Sequence, residues 1–139
     1  MARAAASSIA ALEQVPLLAE LTKRDRQRLA QTMKEHTYAA GKKVVVEGRG
    51  GVGFFIIVEG TAAVTVGDRV VRALGPGDYF GEMALLDGNQ RSATVTADTE
   101  LRCLGMTSWN FKSFVQESPS VAWALLQSLA GRLREETSR

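Results

Sequence analysis

The sequence predicts a mainly β protein flanked by helices, and three observations carry that expectation. Apolar residues fall at helical spacing at both ends of the chain. Between them run short stretches rich in Val, Ile and Phe. All thirteen glycines except Gly131 lie between Gly41 and Gly105, where they punctuate these stretches. Short strands about ten residues apart, each closed by a glycine turn, indicate a β-sandwich or barrel.

Residues 1–8 (M-A-R-A-A-A-S-S) carry one charge and no long apolar run, so they read as a loose arm rather than a secretory signal. Residues 9–36 read as helical, with Leu12, Val15, Leu17, Leu18 and Leu21 leading to Leu29 and Met33. Pro16 divides this zone, and Thr22 is placed to cap the second piece. The run K-R-D-R-Q-R reads as its solvated face. His36 reads as a solvated residue at the helix end. The β-roll spans 38–106, with strands expected at 44–46, 54–58, 62–66, 70–74, 93–97 and 101–106, and with a tight turn at Gly67-Asp68. Residues 108–136 return to helix: Ser108 is the expected cap, and Ser118-Pro119 separates two segments. The second carries an apolar stripe, Val121, Ala122, Leu125, Leu126, Leu129 and Leu133, which Gly131 weakens near its end. This stripe has two open readings: packing on the roll, or a homodimer through the C-terminal helix. Trp109 and Trp123 are expected to pack, with Trp123 alternatively covering a ligand or a dimer partner.

The length of 139 residues suits one domain over 9–139, and 45% apolar with 23% charged residues is globular composition. Seventeen Lys and Arg against fifteen Asp and Glu leave +2, too little for a surface that grips nucleic acid over many phosphates. No stretch is long and apolar enough for a membrane span. A single cysteine, Cys103, precludes an internal disulfide, fits a small core position and suits the reducing cytoplasm. A single histidine precludes metal centres built on several imidazoles. With no nucleophile–base constellation either, the chain reads as a binding module rather than an enzyme.

One stretch inside the roll does not read as a strand: G-E-M-A-L-L-D-G-N-Q-R-S-A over 81–93. Glu82 to Leu86 are helix formers, but the run is only about one and a half turns long, so packing must hold it. Its start offers backbone N–H groups to an anion. Gly81 and Ala84 are small enough for close approach. Arg91 supplies a planar fork of donors for a phosphate. Glu82 would repel a phosphate, and it makes sense as an acceptor for a sugar hydroxyl. A Glu and an Arg on one small loop therefore point to a ribose phosphate.

This stretch, continued as R-S-A-T-V, resembles the phosphate-binding cassette of the cyclic-nucleotide-binding domain family, which includes regulatory subunits of the cyclic-AMP-dependent kinase and the bacterial catabolite activator. Y-x2-G-x5-E-G from Tyr38 to Gly48, F-F-I-I-V-E-G from Phe54 and L-G-P-G-D-Y-F from Leu74 resemble its earlier strands. The resemblance covers about residues 10–135. It implies an eight-stranded jelly roll with N-terminal helices and two C-terminal helices. It also implies a ligand, cyclic AMP with cyclic GMP as alternative, and no cofactor. Within the segment Gly81, Glu82, Met83 and Ala84, Glu82 and the Gly81 backbone would hold the ribose 2′-hydroxyl. The Ala84 amide and Arg91 would hold the phosphate, with Ser92 and the Ala93 amide beside it. Val71, with Val64, would line the cavity near the base. Arg132, Glu136 and Thr137 are the candidates to touch the base. Arg followed by Ser resembles the cyclic-AMP activators more closely than the Thr of cyclic-GMP receptors. The effector is expected elsewhere, on a partner protein or a further domain. The sensor half of a DNA-binding regulator and a roll that binds no nucleotide remain as other readings.

Overall fold

A computed structural model describes residues 12–19, 21–46, 48, 53–82 and 93–137. Met83, Ala84, Arg91 and Ser92, with the short helix expected around them, lie outside the described residues. Two 3₁₀ turns (Leu12–Gln14, Pro16–Leu18) precede helix α1 (Lys23–Thr32). Eight strands come next: β1 (Lys34–Tyr38), β2 (Lys43–Val45), β3 (Gly53–Glu59), β4 (Ala62–Val66), β5 (Arg69–Leu74), β6 (Tyr79–Phe80), β7 (Thr94–Ala97) and β8 (Leu101–Thr107). Helices α2 (Ser108–Glu117) and α3 (Pro119–Thr137) complete the described chain. No helix among the described residues is long and apolar enough to cross a membrane.

The strands form two four-stranded antiparallel sheets, ordered β1-β8-β3-β6 and β2-β7-β4-β5. The central strands of the first sheet, β8 and β3, are apolar on both faces and divide their residues by parity. Leu101 and Cys103 of β8 and Ile57 of β3 meet Ala62, Leu74, Val95 and Ala97 of the second sheet. Leu104 and Met106 of β8, with Phe54 and Ile56 of β3, face the helices, where they meet Leu18, Met33, Phe111, Val121 and Leu125. Double coverage explains why F-F-I-I-V runs without polar interruption. The β4–β5 hairpin turns at Gly67-Asp68, with Val66 opposite Arg69, as expected.

Thr22 caps α1, its hydroxyl accepting from the Asp25 N–H at 3.1 Å. The expected helix over 9–36 is corrected at its end. The helix stops at Thr32, Met33 is extended, and Lys34–Tyr38 pairs with Leu101–Gly105 of β8. Lys and Glu favour helix locally, but this ladder is long-range and overrides that preference. His36 is therefore not a solvated helix end. It lies half-buried in β1, edge-on to Phe55 at 5.9 Å and stacked over Tyr38 at 6.2 Å. Gly105 makes room for these rings, since a Cβ there would sit 3.0 Å from Phe55 and 3.1 Å from His36. Burial, then nearby positive charge including Lys34, lowers the His36 pKa.

Two further corrections concern the C-terminal helices. The cap of α2 is Thr107, accepting from Asn110 N–H at 3.2 Å, and Ser108 is the first helical residue. Trp109 and Trp123 do not pack, being 79% and 62% exposed. In α3 the inward stripe is Val121 and Leu125, and Trp123, two residues from each, points the other way.

Candidate functional site

A cavity of about 670 Å³ lies between the second sheet, the end of β6 and α3. Valines form its apolar wall: Val45 of β2, Val64 of β4, Val71 of β5 and Val95 of β7. Leu129 and Leu133 of α3 also line it. Its polar lining comes from Tyr79 of β6, Glu82 just beyond it, Arg69 and Arg72 of β5, and Arg132, Glu135 and Glu136 of α3. Tyr79 and Phe80 pair with Ile56 and Phe55 of β3, which fixes where the chain leaves the sheet. Gly81 then takes φ +97, a left-handed conformation that costs glycine little, and delivers Glu82 to the cavity wall.

Among the described residues, Glu82 is the one charged or polar residue that is buried, at 2% exposure. Burying a carboxylate without a partner is costly, and the fold supplies one from fifty residues away. The Arg132 guanidinium of α3 donates through Nη1 to Glu82 Oε1 at 2.7 Å. It also sits 5.8 Å from the Tyr79 ring centroid, within range of a cation–π contact. Burial raises the Tyr79 pKa and the Glu82 charge adds to it, while a hydrogen bond with Ser128 and the charges of Arg132 and Arg72 oppose. A second tie joins α3 to the roll: Arg72 of β5 meets Glu135 at 3.4 Å, largely in solvent. Glu82 Oε2 and Arg132 Nε are buried without hydrogen-bond partners.

Of the residues singled out from sequence, Gly81, Glu82, Ala93, Val71 and Val64 converge on this one cavity. Arg132 and Glu136 line it too, but Thr137 does not, its hydroxyl donating instead to the Arg134 carbonyl at 3.1 Å. Tyr79, Arg72, Leu129 and Leu133 are cavity residues that no sequence pattern placed there. Arg132, expected at a base, is found on Glu82. Its signal is its position. It falls on the inward stripe of α3, seven residues after Leu125, where a charge needs a buried partner. No group of three or more His, Cys, Asp or Glu gathers among the described residues in a metal-binding arrangement. The site can supply an apolar wall and one buried, anionic hydrogen-bond acceptor.

The family model of the cyclic nucleotide-binding domain matches residues 35–118. The cAMP-dependent protein kinase regulatory subunit of Eremothecium gossypii is 46% identical over 92 residues, which is 66% of this chain and 20% of that subunit. The chain thus spans about a fifth to a quarter of the length of the curated relatives it matches. Among solved structures, cAMP-bound PfPKA-R (141–441) superposes with a TM-score of 0.82 and 26% identity, over 94% of this chain and 46% of that one. The Thermus thermophilus catabolite activator protein superposes with a TM-score of 0.80 and 29% identity, over 88% of this chain and 60% of that one. With Glu82 buried inside the matched segment and a fold that superposes on these proteins, the chain belongs to the cyclic nucleotide-binding domain family.

Proposed function

We propose that this chain is a non-catalytic receptor for a cyclic nucleotide, cyclic AMP ahead of cyclic GMP. The observation that carries the reading is Glu82: a fully buried carboxylate, one oxygen without a partner, in the wall of a cavity whose sheet side is lined by valines. A ribose 2′-hydroxyl supplies the missing donor, aided by the Gly81 backbone. The Ala84 amide and Arg91 take the cyclic phosphate, with Met83 in the same turn and Ser92 and the Ala93 amide alongside. Val71 and Val64 contact the base. The cAMP-bound neighbour and the cAMP-dependent relatives favour cyclic AMP. The sheet orders support a jelly roll, and the buried Cys103 suits the cytoplasm. Output passes through movement of the C-terminal helices to an effector carried elsewhere.

Arg91 carries the largest share of phosphate affinity. A charge-assisted hydrogen bond is worth about 1.5–3 kcal/mol, so Arg91→Ala should weaken binding about tenfold to a hundredfold or more. Isothermal titration of wild type and variant tests this. Undiminished binding by the variant would overturn the assignment.

A further inference from the structure

We propose that the outer face of α1 is a docking surface for an acidic helical segment of a partner protein, held by Arg24 and Arg28. The inference does not depend on nucleotide binding. It starts from where the charge of the chain lies. Helix α1, K-R-D-R-Q-R-L-A-Q-T, holds four Lys and Arg against one Asp, a net +3. The whole chain carries +2, so all its other residues together come to −1. The positive excess of this protein is gathered on one helix.

Helix stability does not account for that placement. The N-terminal end of a helix is the positive end of its dipole, where acidic side chains are favoured and basic ones are not. Lys23, Arg24 and Arg26 nevertheless open α1 around a single acid, Asp25, and the last turn holds no basic residue. Arg26 has a structural use: half-buried, it donates through Nη1 to the Leu21 carbonyl at 2.6 Å. Lys23, Arg24 and Arg28 are exposed, and none of them joins an ion pair among the described residues. Leu29 and Ala30 turn into the core, which leaves Arg24, Gln27, Arg28 and Gln31 facing out. Arg24 and Arg28 stand four residues apart on neighbouring turns, and like charges at that spacing oppose the helix.

The same spacing suits a ligand. Two guanidinium forks one turn apart fit two carboxylates one turn apart on a facing helix. Gln27 and Gln31, also four apart, add neutral hydrogen-bonding groups beside them. Other occupants fit less well. The exposed residues of α1 include no apolar side chain to enter a membrane interface. Three exposed cations are too few to grip nucleic acid over many phosphates. A second copy of the chain offers no strong acidic excess to pair with this face.

The test uses two alanine-based helical peptides of identical composition. One carries its Glu residues at i and i+4, and the other has them spread around the helix. Binding to the 139-residue chain is followed by fluorescence anisotropy, and amide chemical shifts map the contact. Wild type should prefer the paired peptide about fivefold or more, with the shifts centred on α1. Arg24→Gln combined with Arg28→Gln should weaken that peptide about tenfold or more. Lys112→Gln combined with Arg134→Gln removes the same charge from exposed positions of α2 and α3, and should weaken it less than about threefold. The α1 double variant should melt no lower than wild type, since it relieves charge set against the dipole. Loss of binding is thereby separated from loss of fold. No binding by wild type, equal binding of the two peptides, or equal losses in the two double variants would overturn the inference. So would a clear fall in the melting midpoint of the α1 variant, which would give these arginines a structural role. Binding to phosphatidylserine vesicles that needs Arg24 and Arg28, with no preference between peptides, would assign the face to an anionic membrane instead.

Discussion

Replacing Glu82 by Gln keeps the side chain's volume and removes its charge, so it isolates the ion pair from packing. Breaking a fully buried pair costs about 3–5 kcal/mol, but two features lower the figure here. Arg132 keeps 27% of its side chain in water, and the Gln carbonyl can still accept a neutral hydrogen bond. The expected loss is about 1.5–2 kcal/mol. Unfolding entropy of about 2.1 cal/mol/K per residue gives about 0.29 kcal/mol/K for the 139 residues, so the melting midpoint should fall by about 5–7 °C. Thermal melts tracked by circular dichroism on wild type, Glu82→Gln, Arg132→Gln and the double variant measure both the loss and the coupling. The double variant should be less destabilised than the two singles added together, by about 1 kcal/mol or more. Arg72→Gln is the control: its partner Glu135 is 63% exposed, and a surface pair is worth about 0–1 kcal/mol, which is under about 4 °C. A Glu82→Gln midpoint within about a degree of wild type, or strictly additive singles, would refute the reasoning.

The fold carries three other expectations. Phe54, 1% exposed and 4.7 Å from the Phe111 ring, joins the first sheet to α2, so Phe54→Ala should cost about 3–5 kcal/mol by urea titration; a loss under about 1 kcal/mol would contradict that packing. Burial pushes the Cys103 thiol up to about 12, so a maleimide at about pH 8 should label native protein no faster than it unfolds, and rapid native labelling would refute the burial. His36 has its pKa lowered in the fold, so the unfolded chain binds more protons below the ordinary value near 6.5. Its contribution to stability should be fully present above about pH 6.5 and fall as pH drops through the lower native value. Stability against pH for wild type and His36→Gln checks this, and identical slopes in that window would count against it.

Much of the roll was legible because its strands are short, apolar and closed by glycines, as at Gly67-Asp68 between β4 and β5. The candidate cassette was legible because Gly81, Glu82 and Arg91 combine residue types that rarely serve one purpose together. Two strands were not. β1 reads K-E-H-T-Y, with only a mixed burial pattern, and exists by pairing with β8 far along the chain, His36 lying opposite Cys103. β6 is two residues long and shows no period at all. The stripe on α3 was visible, but its width concealed which half faces the protein: Val121 and Leu125 turn in, while Leu126 and Leu133 are 58% and 66% exposed. The Arg132–Glu82 pair was hidden for the same reason as β1. Its two halves lie fifty residues apart and meet only once the helix has docked.

The most direct test of the central claim is a calorimetric titration of cyclic AMP and of cyclic GMP into the chain. Saturable binding at one site per chain, tighter for cyclic AMP, is the predicted result. Absence of binding by either nucleotide would contradict the account of Glu82 as a ribose acceptor and of the cavity beside it as a nucleotide site.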